Sequence, residues 1–243
     1  PELARALETL GLYAIGNGDW ELASPLLAEA EATFERLLLR RYRDESTALR
    51  ALCAYWSGEL REAARLWTEC ALSAEHRGDP MAICWGRAGL VEVELRRQRR
   101  SAESLLAELD RVAPAEHLPI AEAVRLYGAR ARCLVLAGDA EAALADARRG
   151  LRLTAGVKRP ISYALPGYEL ILDSLIALDA GGVEVKAELE EFIGQLGNFA
   201  RIHPIGEPAY RYGRGQRALL AGQTAAARAA WHESLAKAEQ LRM

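Results

Sequence analysis

Hydrophobic positions in this chain follow helical rather than strand spacing. Polar-alternating runs of Val, Ile and Thr are absent, and the dominant residues are Ala, Leu, Glu and Arg, all strong helix formers. A longer period is superimposed. Five times a glycine is followed five residues later by an alanine: Gly18/Ala23, Gly58/Ala63, Gly138/Ala143, Gly182/Ala187 and Gly222/Ala227. The glycines lie about 40 residues apart, or twice that where one unit is degenerate, a spacing that marks a stacked repeat array. Each unit reads as a helix A, a tight turn carrying the glycine, and a helix B. Glycine supplies a left-handed cap, and Asp19 or Asp139 can start the next helix as N-cap.

Two further marks share this register. Small residues stand seven before the turn glycine (Gly11, Ala51, Ala131, Gly215) and twelve after it (Ala30, Cys70, Gly150, Gly194, Ser234), where two helices must approach closely. Trp67 and Trp231 stand nine after their glycines. Pro80, Pro160 and Pro204 each stand 22 after, where helix B must end. The third unit departs from the pattern: its turn near Gln98 and Arg99 lacks glycine, and Ser104 occupies the alanine position.

The expected fold is all-α: a right-handed α-solenoid of about six helix-turn-helix units, roughly twelve helices, forming one domain over 1–243. The expected units are 1–42, 43–79, 80–116, 117–158, 159–203 and 204–243.

These marks resemble the tetratricopeptide repeat, with a unit lengthened mainly in helix B. The stretch RPISYALPGYELILDSLIAL (159–178) and the stretch 199–243 are similar to the C-terminal helical region of large bacterial signalling ATPases. Those proteins join a nucleotidyl cyclase or Ser/Thr kinase domain to an AAA/STAND ATPase and then to tetratricopeptide-like repeats. The resemblance implies a regulatory sensor or scaffold arm of a bacterial, cytoplasmic protein. It carries over no catalytic residue. The chain starts at Pro1 and stops at Met243 within an expected helix, so it reads as a fragment of a longer protein.

Chemistry is sparse. The formal charge of −3 gives no global attraction to nucleic acid or anionic membrane. The basic clusters RLLLRRYR (36–43) and RRQRR (96–100) read as solvated helix ends, where cations offset the helix dipole. YGRGQRA (212–218) has the glycines of a phosphate loop but neither a preceding strand nor Lys-Ser/Thr. His76, His117, His203 and His232 lie in different units, which argues against zinc. Cys53, Cys70, Cys84 and Cys133 show no framework spacing and read as buried free thiols in a reducing compartment. No stretch is apolar enough to span a membrane. No enzyme activity, cofactor or metal is expected.

The remaining candidate surface is the inner wall that A helices form in tetratricopeptide-type solenoids. Arg, Tyr and Trp there have the composition of binding hot spots. The expected groove residues are Trp85, Arg87, Tyr127, Arg130, Tyr163, Tyr168, Glu169, Tyr210, Arg211 and Arg214. The expected partner is a protein segment or a small effector. Two other roles fit the same pattern: the sensor arm of a LuxR-type ATP-dependent transcription regulator, and a self-associating module that forms a homodimer through its uncapped C-terminal helix.

Overall fold

The computed structural model describes all 243 residues and is all-α, a helical repeat with no strands. Six A/B hairpins run along the chain. They are α1 (Glu2–Asn17) with α2 (Trp20–Arg36), α3 (Arg40–Trp56) with α4 (Leu60–Arg77), and α5 (Pro80–Arg97) with α6 (Ala102–Leu109). Then follow α7 (Ile120–Ala137) with α8 (Ala140–Ala155), α9 (Leu165–Ala180) with α10 (Lys186–Ile202), and α11 (Glu207–Leu220) with α12 (Thr224–Gln240). Short 3-10 turns at Ala115–His117, Ser162–Ala164 and Pro204–Gly206 precede α7, α9 and α11. The chain divides within α7 into two compact units, Pro1–Glu122 and Ala123–Met243.

The turns follow the glycine marks. Gly18, Gly58, Gly138, Gly182 and Gly222 all have φ between 74° and 85°, and Gln98 adopts the same left-handed conformation at φ 54° without being glycine. Asp19 and Asp139 cap α2 and α8 by accepting from the backbone N–H of Leu22 (3.1 Å) and Ala142 (3.0 Å). Pro80 opens α5 behind its N-cap Asp79.

Two turns are longer than the spacing implies. Asp19, Glu59, Asp139 and Gln223 are N-caps one residue past the left-handed position, whereas Ser101 and Val185 come three past Gln98 and Gly182. Each of these turns holds two extra residues, and the packing register moves with the helix start. Ala23, Ala63, Ala143 and Ala227 are completely buried as the fourth residue of their helices. In α6 and α10 that place belongs to buried Leu105 and Leu189, not to Ser104 or to Ala187, which is exposed. Gly194 is also displaced. It is exposed, a β-carbon added there would meet nothing within 4 Å, and Leu196 packs in its stead. The demand for a small or buried residue is set by the helix start, so an elongated turn moves it along the chain.

Within each unit, helix B packs on its own helix A and on the following one: α2 on α1 and α3, α4 on α3 and α5, α10 on α9 and α11. Successive A helices also touch, α1 with α3, α3 with α5 and α9 with α11. Close approach rests on small residues. A β-carbon on Gly11 would meet Leu27 at 2.7 Å, and one on Gly150 would run into Ile171.

Candidate functional site

Each A helix has two longitudinal faces that differ in what they meet. Five of the expected groove residues stand eleven or eight before the left-handed turn residue: Arg87, Tyr127, Arg130, Arg211 and Arg214; all but Arg214 meet residues of a helix B. Arg87 is buried and clamps three helices of its unit. Its Nε donates to Glu75 Oε1 of α4 at 2.8 Å, and its Nη1 donates to Glu108 of α6. Arg130 Nε donates to the buried Asp146 of α8 at 3.0 Å, and Arg149 Nη1 donates to the same carboxylate at 2.9 Å. The Arg149 guanidinium also lies 5.9 Å from the buried Tyr127 ring. Arg211 bonds Glu207 at 2.8 Å and Glu233 of α12 at 2.5 Å. Arg214 is exposed, with its guanidinium 5.8 Å from the Tyr210 ring.

The other expected residues also separate. Trp85 is buried, and its indole N–H donates to the fully buried Glu122 at 2.8 Å. Tyr168 is buried against Phe192 and Phe199, with centroids 5.7 and 5.0 Å away, and burial pushes its phenol up from the ordinary range. Tyr210 is half-buried and packs on α10 beside Gly197. Tyr163 and Glu169 are half-buried, in the 3-10 turn and on α9. Trp85, Arg87, Tyr127 and Tyr168 are therefore core residues rather than groove residues. A large amphipathic side chain on helix A fills the gap to a neighbouring helix, a helix B for Arg87, Tyr127 and Tyr168 and the next helix A for Trp85, because burial of its apolar body outweighs exposure.

The opposite face of the A helices carries a different set, at thirteen, ten or nine, and six residues before the turn. In Ala123–Met243 it presents Arg132 of α7, Asp173 of α9, and Tyr212 and Gln216 of α11, all half-buried or exposed. They act on one another. Burial and the nearby Asp173 carboxylate push the Tyr212 phenol up, while a hydrogen bond with Gln216 and the Arg132 charge oppose that shift. One open polar patch thus extends over three consecutive A helices.

In Pro1–Glu122 the same face holds Arg5 and Glu8 of α1 and Glu45 of α3. Arg5 Nη1 bonds Glu8 and lies 3.3 Å from Glu45 Oε2, with its guanidinium 4.7 Å from the Tyr42 ring. Glu8 is buried and accepts from Ser46 Oγ at 2.7 Å. Burial first, then the Glu45 charge, push its carboxyl up to about 7. Further along this face Arg96 stacks on Tyr55 (3.8 Å) and Trp56 (4.9 Å).

Counting from the turn could have found this face. Arg132 and Gln216 share one register position, and Asp173 and Tyr212 are adjacent ones. Asp173 stands within the apolar run LILDSLIAL, where a lone carboxylate signals a solvated face.

No group of three or more His, Cys, Asp or Glu residues could hold a metal ion, and no helix is long and apolar enough to cross a membrane. His203 has a structural partner, with Nε2 2.8 Å from the Pro160 carbonyl oxygen. All four cysteines are free and buried. No protein-family model matches the chain, and neither does any curated protein.

Proposed function

We propose that this chain is a non-catalytic recognition module of a bacterial signalling protein. It would bind an extended protein segment or a small effector on the polar face of its A helices. The observation that carries this reading is the Arg132–Asp173–Tyr212–Gln216 patch. Charged and hydrogen-bonding groups recur at matched or adjacent register on consecutive helices and stay half-buried or exposed, while Tyr127 and Arg130 on the opposite face of α7 are engaged with Asp146 and Arg149 of α8. Such a surface reads a ligand by several spaced polar contacts rather than by enclosing it. In the wider protein that the resemblance suggests, ligand binding would bias attached ATPase and output domains by its differential affinity for two states.

The test is selection of a random-peptide library on the folded 243-residue chain, followed by calorimetric titration of enriched peptides. Arg132→Ala and Asp173→Ala are expected to weaken binding at least about tenfold, the scale of one lost polar anchor. Arg65→Ala, on the outer side of α4 beside Glu62 and Glu69, should leave it unchanged. Binding insensitive to both A-face variants would overturn the proposal, and failure to enrich any peptide would rule out its protein-segment form.

A further inference from the structure

The turn between α2 and α3 breaks several local rules at once. Leu38 holds the left-handed position at φ 58°, where the equivalent turn between α4 and α5 uses Gly78 at φ 68°. Both turns close with the same backbone bonds. Leu38 and Leu39 N–H donate to the Glu35 and Phe34 carbonyls at 3.0 and 2.9 Å, as Gly78 and Asp79 donate to Glu75 and Ala74 at 3.2 and 3.1 Å. The leucine is thereby held in a conformation that its β-carbon opposes. At the next position Asp79 caps α5 by accepting from the Ala82 N–H, whereas Leu39 gives α3 no side-chain cap. Arg40 and Arg41 then open α3, where the helix dipole disfavours cations, and no acidic residue stands in that first turn. The reading of 36–43 as cations that offset a helix dipole holds for Arg36, at the end of α2, and fails for these two.

What the turn presents to solvent gives these departures a common direction. Leu39 is half-buried and packs on Ala4, Ala30 and Phe34. Leu37 and Leu38 are instead 42 and 77 % exposed, and Leu38 is the most exposed large apolar side chain of the protein. Arg36 and Arg40 flank them, exposed and in no salt bridge, and the exposed Arg41 lies 3.6 Å from Asp79. The neighbouring carboxylates are already matched, Glu35 by Arg43 at 3.3 Å and Asp79 by Arg41 and Arg77. Residues 36–43 hold four arginines and no acid. A strained, uncapped and like-charged turn is kept for function rather than for stability.

From this protruding leucine tip set among arginines, we infer that the α2–α3 turn docks the protein on an anionic lipid surface. Arg36, Arg40 and Arg41 meet the headgroup phosphates, and Leu37 and Leu38 enter the interfacial layer. Charge complementarity selects an anionic surface. Shape selects a lipid one, because an exposed apex offers a peptide no groove but enters a fluid layer without needing a matching pocket. The formal charge of −3 does not cancel the local attraction, since salt screens charges beyond about 8 Å. This contact is independent of the ligand proposed for the A-helix face.

Co-sedimentation of the 243-residue chain with vesicles tests it, one set of pure phosphatidylcholine and one mixed in equal parts with phosphatidylglycerol. The chain is expected to bind the anionic set alone and to be released as salt rises. Leu38→Gly is the most informative variant. Glycine suits the left-handed position, so this variant should unfold at higher urea than the unaltered chain while its lipid affinity falls at least about tenfold. Arg40→Glu, on an exposed side chain, removes one attraction and adds one repulsion, and should also lose at least about tenfold. Arg65→Glu makes the same charge change on the outer side of α4 and should alter affinity less than about threefold. No binding to the anionic vesicles would overturn the inference, as would binding that Leu38→Gly and Arg40→Glu leave intact. Equal losses in Arg40→Glu and Arg65→Glu would reduce the contact to net charge and sink it. So would competition by inorganic phosphate with no effect of Leu38→Gly, which indicates a free-anion site. Binding to polyglutamate in preference to vesicles would reassign the turn to an acidic protein partner.

Discussion

Gly128 of α7 and Gly167 of α9 meet backbone to backbone. A β-carbon on Gly128 would lie 2.5 Å from the Gly167 carbonyl oxygen, and one on Gly167 would lie 2.6 Å from the Arg125 Cα. No side-chain rotation relieves either contact, so the helices themselves would have to move apart. The better helix propensity of alanine, about 1 kcal/mol, is then outweighed by overpacking. Gly128→Ala and Gly167→Ala are each expected to lose about 2 kcal/mol, read as a lower urea midpoint at unchanged m. Gly194→Ala is the matched control. With open space around it, this change should gain about 0.5–1 kcal/mol.

Gln98 holds a conformation that its side chain disfavours. Five of the six hairpin turns use glycine at this place, and Gln98 reaches φ 54° there. A left-handed residue other than glycine costs about 1–2 kcal/mol, partly offset because glycine is freer in the unfolded chain. Gln98→Gly is expected to stabilise the chain by about 0.5–1 kcal/mol. Gly138→Ala, at φ 82° with open surroundings, should destabilise it by about 1 kcal/mol through backbone strain alone. Chemical denaturation of the two variants reads both signs.

The hairpins and their turns were legible because each depends on a local rule. A left-handed cap wants glycine, and the fourth residue of helix B wants to be small where helix A crosses it. Gly18, Gly58, Gly138 and Gly222 followed both rules. Gly182 followed only the first, because Val183 and Glu184 lengthen its turn and move the packing position to Leu189. The site was less legible. Arg87 and Arg130 have hot-spot composition, but their fate depends on Glu75, Glu108 and Asp146, which arrive from neighbouring helices. Which of two polar helix faces meets those carboxylates is a tertiary property. Composition along a single helix does not carry it.

Glu8 should make stability depend on pH in an unusual direction. Its folded carboxyl titrates near 7, above the ordinary 4.5, so between these values the folded chain holds a proton that the unfolded chain releases. Stability from this group is fully present below pH 4.5 and is lost as pH rises through 7. The loss is at most about 3 kcal/mol. Glu8→Gln keeps an acceptor for Ser46 without the ionisation. Between about pH 5 and 8 the unaltered chain should lose about 2 kcal/mol more than this variant, measured by urea unfolding at each pH. Parallel profiles would refute the assignment.

Arg87 is expected to behave as a structural clamp. Its removal leaves Glu75 and Glu108 facing each other in a partly dry layer, with Arg111 at 3.4 Å from Glu75 as a half-exposed substitute. Arg87→Ala should therefore cost about 3 kcal/mol, the scale for breaking a buried ion pair from one side. Arg111→Ala, at an exposed pair, should change stability by less than about 1 kcal/mol. Equal effects would mean that the burial of Arg87 carries no energetic weight.

The four cysteines should be silent in the folded protein and report on its opening. Burial pushes the Cys53 and Cys133 thiols up to about 12, in both cases against the pull of nearby arginines. Cys70 Sγ lies 3.6 Å from the carbonyl oxygens of Asp44 and Ala82, and Cys84 Sγ lies 3.8 Å from that of Glu122. At pH 8 the thiolate fraction at a pKa of about 12 is roughly 10⁻⁴, against about a quarter for an ordinary thiol near 8.5. An aromatic disulfide reagent should therefore label no cysteine within minutes in native buffer and all four in strong denaturant. At intermediate urea the labelling rate follows the population of opened molecules. Cys53, Cys70 and Cys84 lie in Pro1–Glu122 and Cys133 in Ala123–Met243, so the rates separate the two units. If the units open independently, the Cys133 rate differs from the other three, and Gly128→Ala accelerates Cys133 selectively. If they open as one body, all four rates rise together in that variant.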